Sequence, residues 1–405
     1  MSSVAITNTS ILLGRELDHI ERGYIEIERG IVKGTGVGKY KGTAKELNAQ
    51  DFLIIPGLIN AHTHIADSIG KDIAAGYGLD ARVHPVFGAK KKILEKSRSE
   101  HLKAFIKSSA ISMMKRGTVA FADFREGEIE GVKLLMEAVA DLPIKCIALG
   151  RVDHYSDPRD VAGLPYNMME RAKQVLEVAN GLGISGANEN TDTALSQYKQ
   201  LVAGKKLLAI HAAESKETVE FSKIYTGRSE IDRIMDNMKP DFLVHMTNAT
   251  EDEISLIAES KKITTTMTGI VVCPRANGVL GVGIPKVATM LRKGCTVAIG
   301  TDNVMLNSPD MLRELDYTWK VSQANEREMI DARELLKMAT INAAQILRLN
   351  SGCIESGRAA DFIFIDKKHI DLCPIHDPYA AVVHRLSQSS IKAVMIDGQF
   401  IGDLN

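Results

Sequence analysis

Eight apolar or β-branched runs occupy the centre of this chain, at 53–64, 118–124, 144–152, 183–188, 207–213, 242–247, 263–272 and 295–302, and each ends in polar residues. Helical segments lie between most of them. Leu102, Phe105, Ile106, Ser109, Ala110, Met113 and Met114 form an i, i+3, i+4, i+7 face that stops at Gly117. Thr250-Glu251-Asp252-Glu253 reads as a capping box ahead of Ile254, Leu256 and Ile257. Ser308-Pro309 reads as an N-cap and N1 pair for a helix through Trp319. Strand–helix repetition over a span close to the ~250 residues of such folds predicts a parallel (β/α)8 TIM-like barrel. A doubly wound open sheet is the alternative. The barrel is preferred because candidate ligands end strands one, five, six and eight, and only closure brings those ends together.

The two ends of the chain read differently. Tyr24-Ile25-Glu26-Ile27-Glu28 alternates with period two, and glycines at 30, 34, 36 and 38 punctuate the stretch after it. Ala360–Asp366 is a strand candidate, and Asp397-Gly398 suits a two-residue hairpin turn between Val394–Ile396 and Gln399–Ile401. Neither end holds enough strands for a core. Residues 1–51 and 355–405 are therefore expected to form one small β domain, with 52–354 as the barrel. A length of 405 residues suits a large domain with such an appendage.

Composition excludes several classes. A formal net charge of −1 gives no electrostatic reason to expect nucleic acid or an anionic membrane as partner. The opening residues lack a basic segment followed by an apolar one, and no apolar stretch approaches the ~20 residues of a membrane span. The five cysteines are scattered, with no Cys-x-x-Cys pair, which argues against a thiolate metal site or a disulfide framework. A cytoplasmic protein is expected.

His62 and His64 follow the apolar run 52–61, and side chains at i and i+2 of a strand share a face. Leu207–Ile210 leads into His211, with Glu214 three residues on, in reach of the same point only if the backbone leaves the strand there. Phe242-Leu243-Val244 leads into His245, and Thr296–Thr301 into Asp302. Any one of these alone reads as an ordinary hydrogen-bonded loop residue, and Asp302 as a possible N-cap. Four at four strand ends read as a metal site. Imidazoles with one carboxylate suit Zn²⁺, and also Fe²⁺.

Pro56-Gly57-Leu58-Ile59-Asn60-Ala61-His62-Thr63-His64, His211-Ala212-Ala213-Glu214, His245 and Gly300-Thr301-Asp302 resemble the amidohydrolase superfamily, nearest its cytosine, guanine and S-adenosylhomocysteine deaminases and triazine hydrolases. Gly357–Phe362 and Cys273–Asn277 extend the likeness over nearly the whole chain. The resemblance implies that His62, His64, His211 and Asp302 hold one divalent metal. Glu214 would be the proton shuttle, and His245 would contact the water or the developing oxyanion, with Asp302 also serving catalysis. The implied reaction is attack of a metal-bound hydroxide on a C=N carbon of a nitrogen heterocycle, with release of ammonia. Hydrolysis of a cyclic amide or imidazolone-type ring is the alternative, and an inactive barrel acting as a binding module is the non-enzyme one. The family also implies a small-molecule substrate and a possible homodimer.

Strand four reads Gly183-Ile184-Ser185-Gly186-Ala187-Asn188-Glu189 and lacks the lysine that bridges two metals in many relatives. One metal is expected, with Glu189 as the residue that would bridge a second. The same segment lacks the histidine of the S-adenosylhomocysteine type, and Ala276 stands where that branch carries serine. Arg125, Arg151, Glu189, Arg275 and Asn277 are the candidate substrate contacts, the arginines as clamps for a carboxylate or phosphate. The competing reading pairs the arginines with Asp123, Glu126 and Asp153. The glycine-rich loop from Ile65 through Gly88, with His84, is expected to cover the site.

Overall fold

A computed structural model describes residues 3–84, 87–263 and 267–401. Residues 264–266, at the start of the seventh apolar run, and Pro85, in the first loop, lie outside the described residues.

The barrel strands are Leu58–His64, Thr118–Arg125, Lys145–Gly150, Gly181–Ile184, Leu207–Ala212, Phe242–His245, Gly269–Val272 and Val297–Ile299. Each pairs in parallel with the next, one to eight. The chain then steps over Gly300-Thr301, and Asp302–Asn303 pairs in parallel with Thr63 and His64 of the first strand. That pairing closes the ring, so the expected barrel stands and the open sheet does not. Every residue of the first two strands is buried, as strands covered on both faces require.

Closure depends on a tight approach between strands one and eight. Asn60 donates to Thr301 Oγ1 at 2.8 Å and accepts its amide at 3.0 Å. At Gly300 a Cβ would lie 2.7 Å from the His62 Cβ and 2.8 Å from the His62 backbone, so only glycine fits.

The termini form an eight-stranded sheet. Phe362–Asp366 pairs antiparallel with Phe52–Pro56, which in turn pairs in parallel with Val4–Leu13. Phe52–Pro56 was expected to begin the barrel. It runs in the terminal sheet instead, and Gly57 separates it from the first barrel strand. The Asp397-Gly398 turn has both residues at positive φ, 48° and 75°, and joins Ile391–Ile396 to Gln399–Ile401 as read from the sequence.

Helix Ser99–Met114 buries the predicted face except Phe105, which is 42% exposed, and the chain turns at Gly117 with φ 83°. The Thr250 box is reciprocal: Glu253 Oε2 accepts the Thr250 amide at 2.7 Å, and Thr250 Oγ1 accepts the Glu253 amide at 3.2 Å. One expected cap is displaced. Helix Met311–Glu326 is capped by Asp310, whose Oδ1 accepts the amides of Leu312 and Arg313, rather than by Ser308. Among the described residues no helix is long and apolar enough to cross a membrane.

Candidate active site

The C-terminal ends of strands one, five, six and eight deliver His62, His64, His211, His245 and Asp302 to one point. Ligand atoms of His62, His64 and His211 lie within 4.8 Å of one another, and so do those of His62, His245 and Asp302. His62 Nε2 is 3.3 Å and His64 Nε2 3.6 Å from Asp302 Oδ1, and His64 Nε2 is 3.4 Å from His211 Nε2.

Hydrogen bonds behind the rings fix which nitrogen faces the centre. His211 Nδ1 donates to the Ile184 carbonyl at 3.2 Å and His245 Nδ1 to Asn277 Oδ1 at 3.0 Å. His64 Nδ1 faces the Phe124 carbonyl at 3.1 Å and Glu126 Oε1 at 3.2 Å. Each therefore turns an Nε2 lone pair inward, the arrangement seen behind metal-bound imidazoles. Burial pushes the His62 imidazole down to about 3 and holds that of His211 well below its ordinary value. Burial alone would raise the Asp302 carboxyl, but the hydrogen bond from His62 and the surrounding imidazoles hold it below the usual range. Neutral imidazoles beside an ionised carboxylate are the protonation states a divalent cation requires. His62 Nδ1 is buried without a hydrogen-bond partner among the described residues, and Nε2 has the Asp302 Oδ1 contact at 3.3 Å, so a bound cation would give this buried ring a further partner. The donor set fits a divalent metal.

The backbone is bent to make this cluster. Asp302 sits at φ 60°, His245 at 74° and Ala213 at 48°, unfavourable values for residues other than glycine. The turn at Ala213 takes the chain off strand five and brings Glu214 Oε1 to 3.6 Å from His245 Nε2. Burial raises the Glu214 carboxyl.

Two cavities share this end of the barrel. A chamber of about 150 Å³ is lined by His64, His211, Glu214, His245 and Asp302 together with Glu189 and Glu230. A larger cavity of about 500 Å³ lies between the helices at 89–114 and the segment after strand two. Val83, His84, Lys90 and Arg151 line both, so the first loop does border the site.

The candidate substrate contacts divide accordingly. Arg151 lines both cavities, with Nε donating to Asp153 Oδ1 at 3.0 Å. Arg125 lines the larger one and is engaged by the Gly131 carbonyl at 2.9 Å and Glu126 at 3.5 Å. Glu189 lines the chamber but belongs to neither donor group found among the described residues. Arg275 lines neither cavity. It is held by the buried Glu314 and the Ser308 carbonyl. Asn277 is fully buried, donates to Thr247 Oγ1 at 2.7 Å and acts through His245. Sequence reasoning passed over Lys90 and took Glu126 only as an arginine partner; the two form a largely buried pair at 2.5 Å whose carboxylate reaches His64. Lys90 and the His64 hydrogen bond hold that carboxyl well below its ordinary value against the opposing effect of burial.

Fold and donor set together define a parallel barrel with a His/Asp metal-binding centre at its C-terminal mouth. The amidohydrolase family profile matches residues 53–401, and the chain belongs to that family. It is 36% identical over 404 residues to a putative aminohydrolase of Methanothermobacter thermautotrophicus, covering 99% of this chain and 100% of that one. It is 28% identical to a 5-methylthioadenosine/S-adenosylhomocysteine deaminase of Moorella thermoacetica, covering 88% and 83% of the two chains. An adenosine deaminase from Xanthomonas campestris solved with bound zinc superimposes with a TM-score of 0.82 at 20% identity, over 98% of this chain and 92% of that one.

Proposed function

We propose that this protein is a metal-dependent aminohydrolase that removes ammonia from a nitrogen heterocycle. The observation that carries the reading is the convergence of His62, His64, His211 and Asp302 beside the Glu214–His245 pair, at a chamber that all of them but His62 line. Those first four residues would hold a single divalent ion, Zn²⁺ before Fe²⁺ by donor type. When bound, such an ion lowers the pKa of water to about 7 and so supplies a nucleophile at neutral pH. Glu214 takes the proton of the attacking water and delivers it to nitrogen, so that the C–N bond breaks with ammonia as the leaving group. His245, oriented by Asn277, turns Nε2 toward the oxygen at the attacked carbon and orients it, donating to it only when the ring carries a second proton. The small-molecule substrate would occupy the chamber beside the wall it shares with the larger cavity, and a cytoplasmic location fits such a substrate.

Metal content tests the centre. Protein purified without chelators is expected to carry about one zinc or iron per chain by plasma mass spectrometry. About two would bring in Glu189 as a bridge and favour cyclic amides. None after reconstitution would make the chain a non-catalytic barrel.

The cavity wall adds a prediction about binding. Arg151 is the arginine with reach into both cavities, so Arg151→Ala is expected to raise KM roughly tenfold, the loss of one charged hydrogen bond, with kcat little changed. Arg125→Ala should act less on KM, because that guanidinium is held by Gly131 and Glu126. An unchanged KM in Arg151→Ala removes it from the substrate site.

A further inference from the structure

Three glutamates line the chamber: Glu189, Glu214 and Glu230. Glu214 is taken up by proton transfer. Glu230 is 2% exposed and committed to the backbone, with Oε2 accepting the Ala213 amide at 2.9 Å. Glu189 has neither role. Its Oε2 is buried and has no hydrogen-bond partner among the described residues, which is unfavourable for a carboxylate oxygen.

The segment carrying it is well fixed. The Glu189 carbonyl accepts the Ser156 amide at 2.9 Å, and Asn190 Nδ2 donates to the Gly186 carbonyl at 2.8 Å. Oε2 lies against Gly186, where a Cβ would stand only 2.7 Å from it. Gly186 is not among the positive-φ glycines, so its backbone accepts other residues. What the glycine preserves is the space beside that oxygen, and Gly186 itself lines the chamber.

We propose that Glu189 is a specificity-determining residue that accepts hydrogen bonds from an N–H edge of the substrate ring. The inference rests on the aminohydrolase reading and names its substrate class. The substrates are amino-heterocycles that keep a ring N–H or a second amino group besides the one they lose. An ionised carboxylate only accepts. Guanine-, isocytosine- and pterin-type rings offer it donors and form charge-assisted hydrogen bonds. Adenines substituted at N9 present ring nitrogens that are acceptors, and the one donor group on the ring itself is the amine that leaves. Against Glu189 they set lone pair to lone pair. A site built to bind N–H groups rejects rings lacking them much more strongly than an apolar pocket does.

The test is ammonia release by the metal-loaded enzyme from guanine, isocytosine and pterin against adenosine and 5′-methylthioadenosine. It is run for the wild type, Glu189→Gln and Gly186→Ala, with calorimetric Kd values for the deaminated products. The wild type is expected to prefer the donor-bearing rings. Both variants should lose roughly 10- to 100-fold in kcat/KM on those rings, and in product affinity, the range for a charged hydrogen bond. Glu189→Gln, whose amide also donates, should shift the ratio toward the adenines, which a general loss of structure would not do. Preference for the adenines in the wild type, with the same ratio in both variants, overturns the role of Glu189 and leaves the deaminase reading standing. No ammonia from any ring sinks the deaminase reading and this inference with it.

Discussion

Glu214→Gln is expected to keep its metal and its fold and to lose turnover by roughly 10²- to 10⁴-fold, the range for removing a general acid–base group. Glutamine fills the same volume but cannot carry a proton between water and a leaving amine. Glu214 stands apart from the two donor groups, so the metal content of the variant should match that of the wild type. The pH profile gives a second readout. Burial raises the Glu214 carboxyl, and the ionised form that accepts a proton appears only as pH rises through that raised value. The acid limb of kcat/KM should therefore lie above the ordinary glutamate range, and the variant should lack it. Steady-state ammonia release and metal analysis on the same preparation decide the matter, and retained activity would remove Glu214 from the mechanism.

The residues whose placement proved legible in the sequence are those that strand periodicity positions. His62 and His64 share a face because they are two apart, and His211, His245 and Asp302 each end an apolar run, so the barrel and its donors could be read together. The turn that Glu214 needs could be stated only as a condition. A positive φ at Ala213 has no marker when the residue is alanine, and here the Glu230 carboxylate accepts that residue's amide.

The misses share a cause, which is that tertiary packing decides which charges are buried and which strands pair. Nothing beside Lys90 in the sequence marks it for burial, yet it is 6% exposed because Glu126 meets it from the segment after strand two. The pattern Asp310-Met311-Leu312-Arg313-Glu314 alone suggests a solvated helix face with one apolar side. Asp310 is instead the cap, and Glu314 is fully buried against Arg275, which takes that arginine away from the substrate. Phe52–Pro56 and the first barrel strand form one apolar run broken by Pro56-Gly57, and that break does not say that its two sides belong to different sheets. Only the pairing with Phe362–Asp366 separates them.

Asp302→Ala is expected to lose both metal and activity. The carboxylate is 2% exposed, and its Oδ1 lies between His62 Nε2 and His64 Nε2. Without it the centre keeps neutral imidazoles and loses its one ionised donor, the group that best offsets a divalent charge in a buried site. Alanine also sits poorly at φ 60°, so the substitution alone mixes backbone strain with ligand loss. Asp302→Asn separates the two effects. Asparagine tolerates that φ and keeps the volume and one carbonyl oxygen, so the fold should hold while the charge disappears. Metal affinity is expected to fall by at least about 100-fold, the upper end of the range for residues that merely support ligands. Activity should fall with occupancy and recover only in part at high metal concentration. Full occupancy in either variant at ordinary metal concentration would mean that Asp302 is not a ligand. The centre would then have to be rebuilt around the histidines, with Asp302 holding His62 in place.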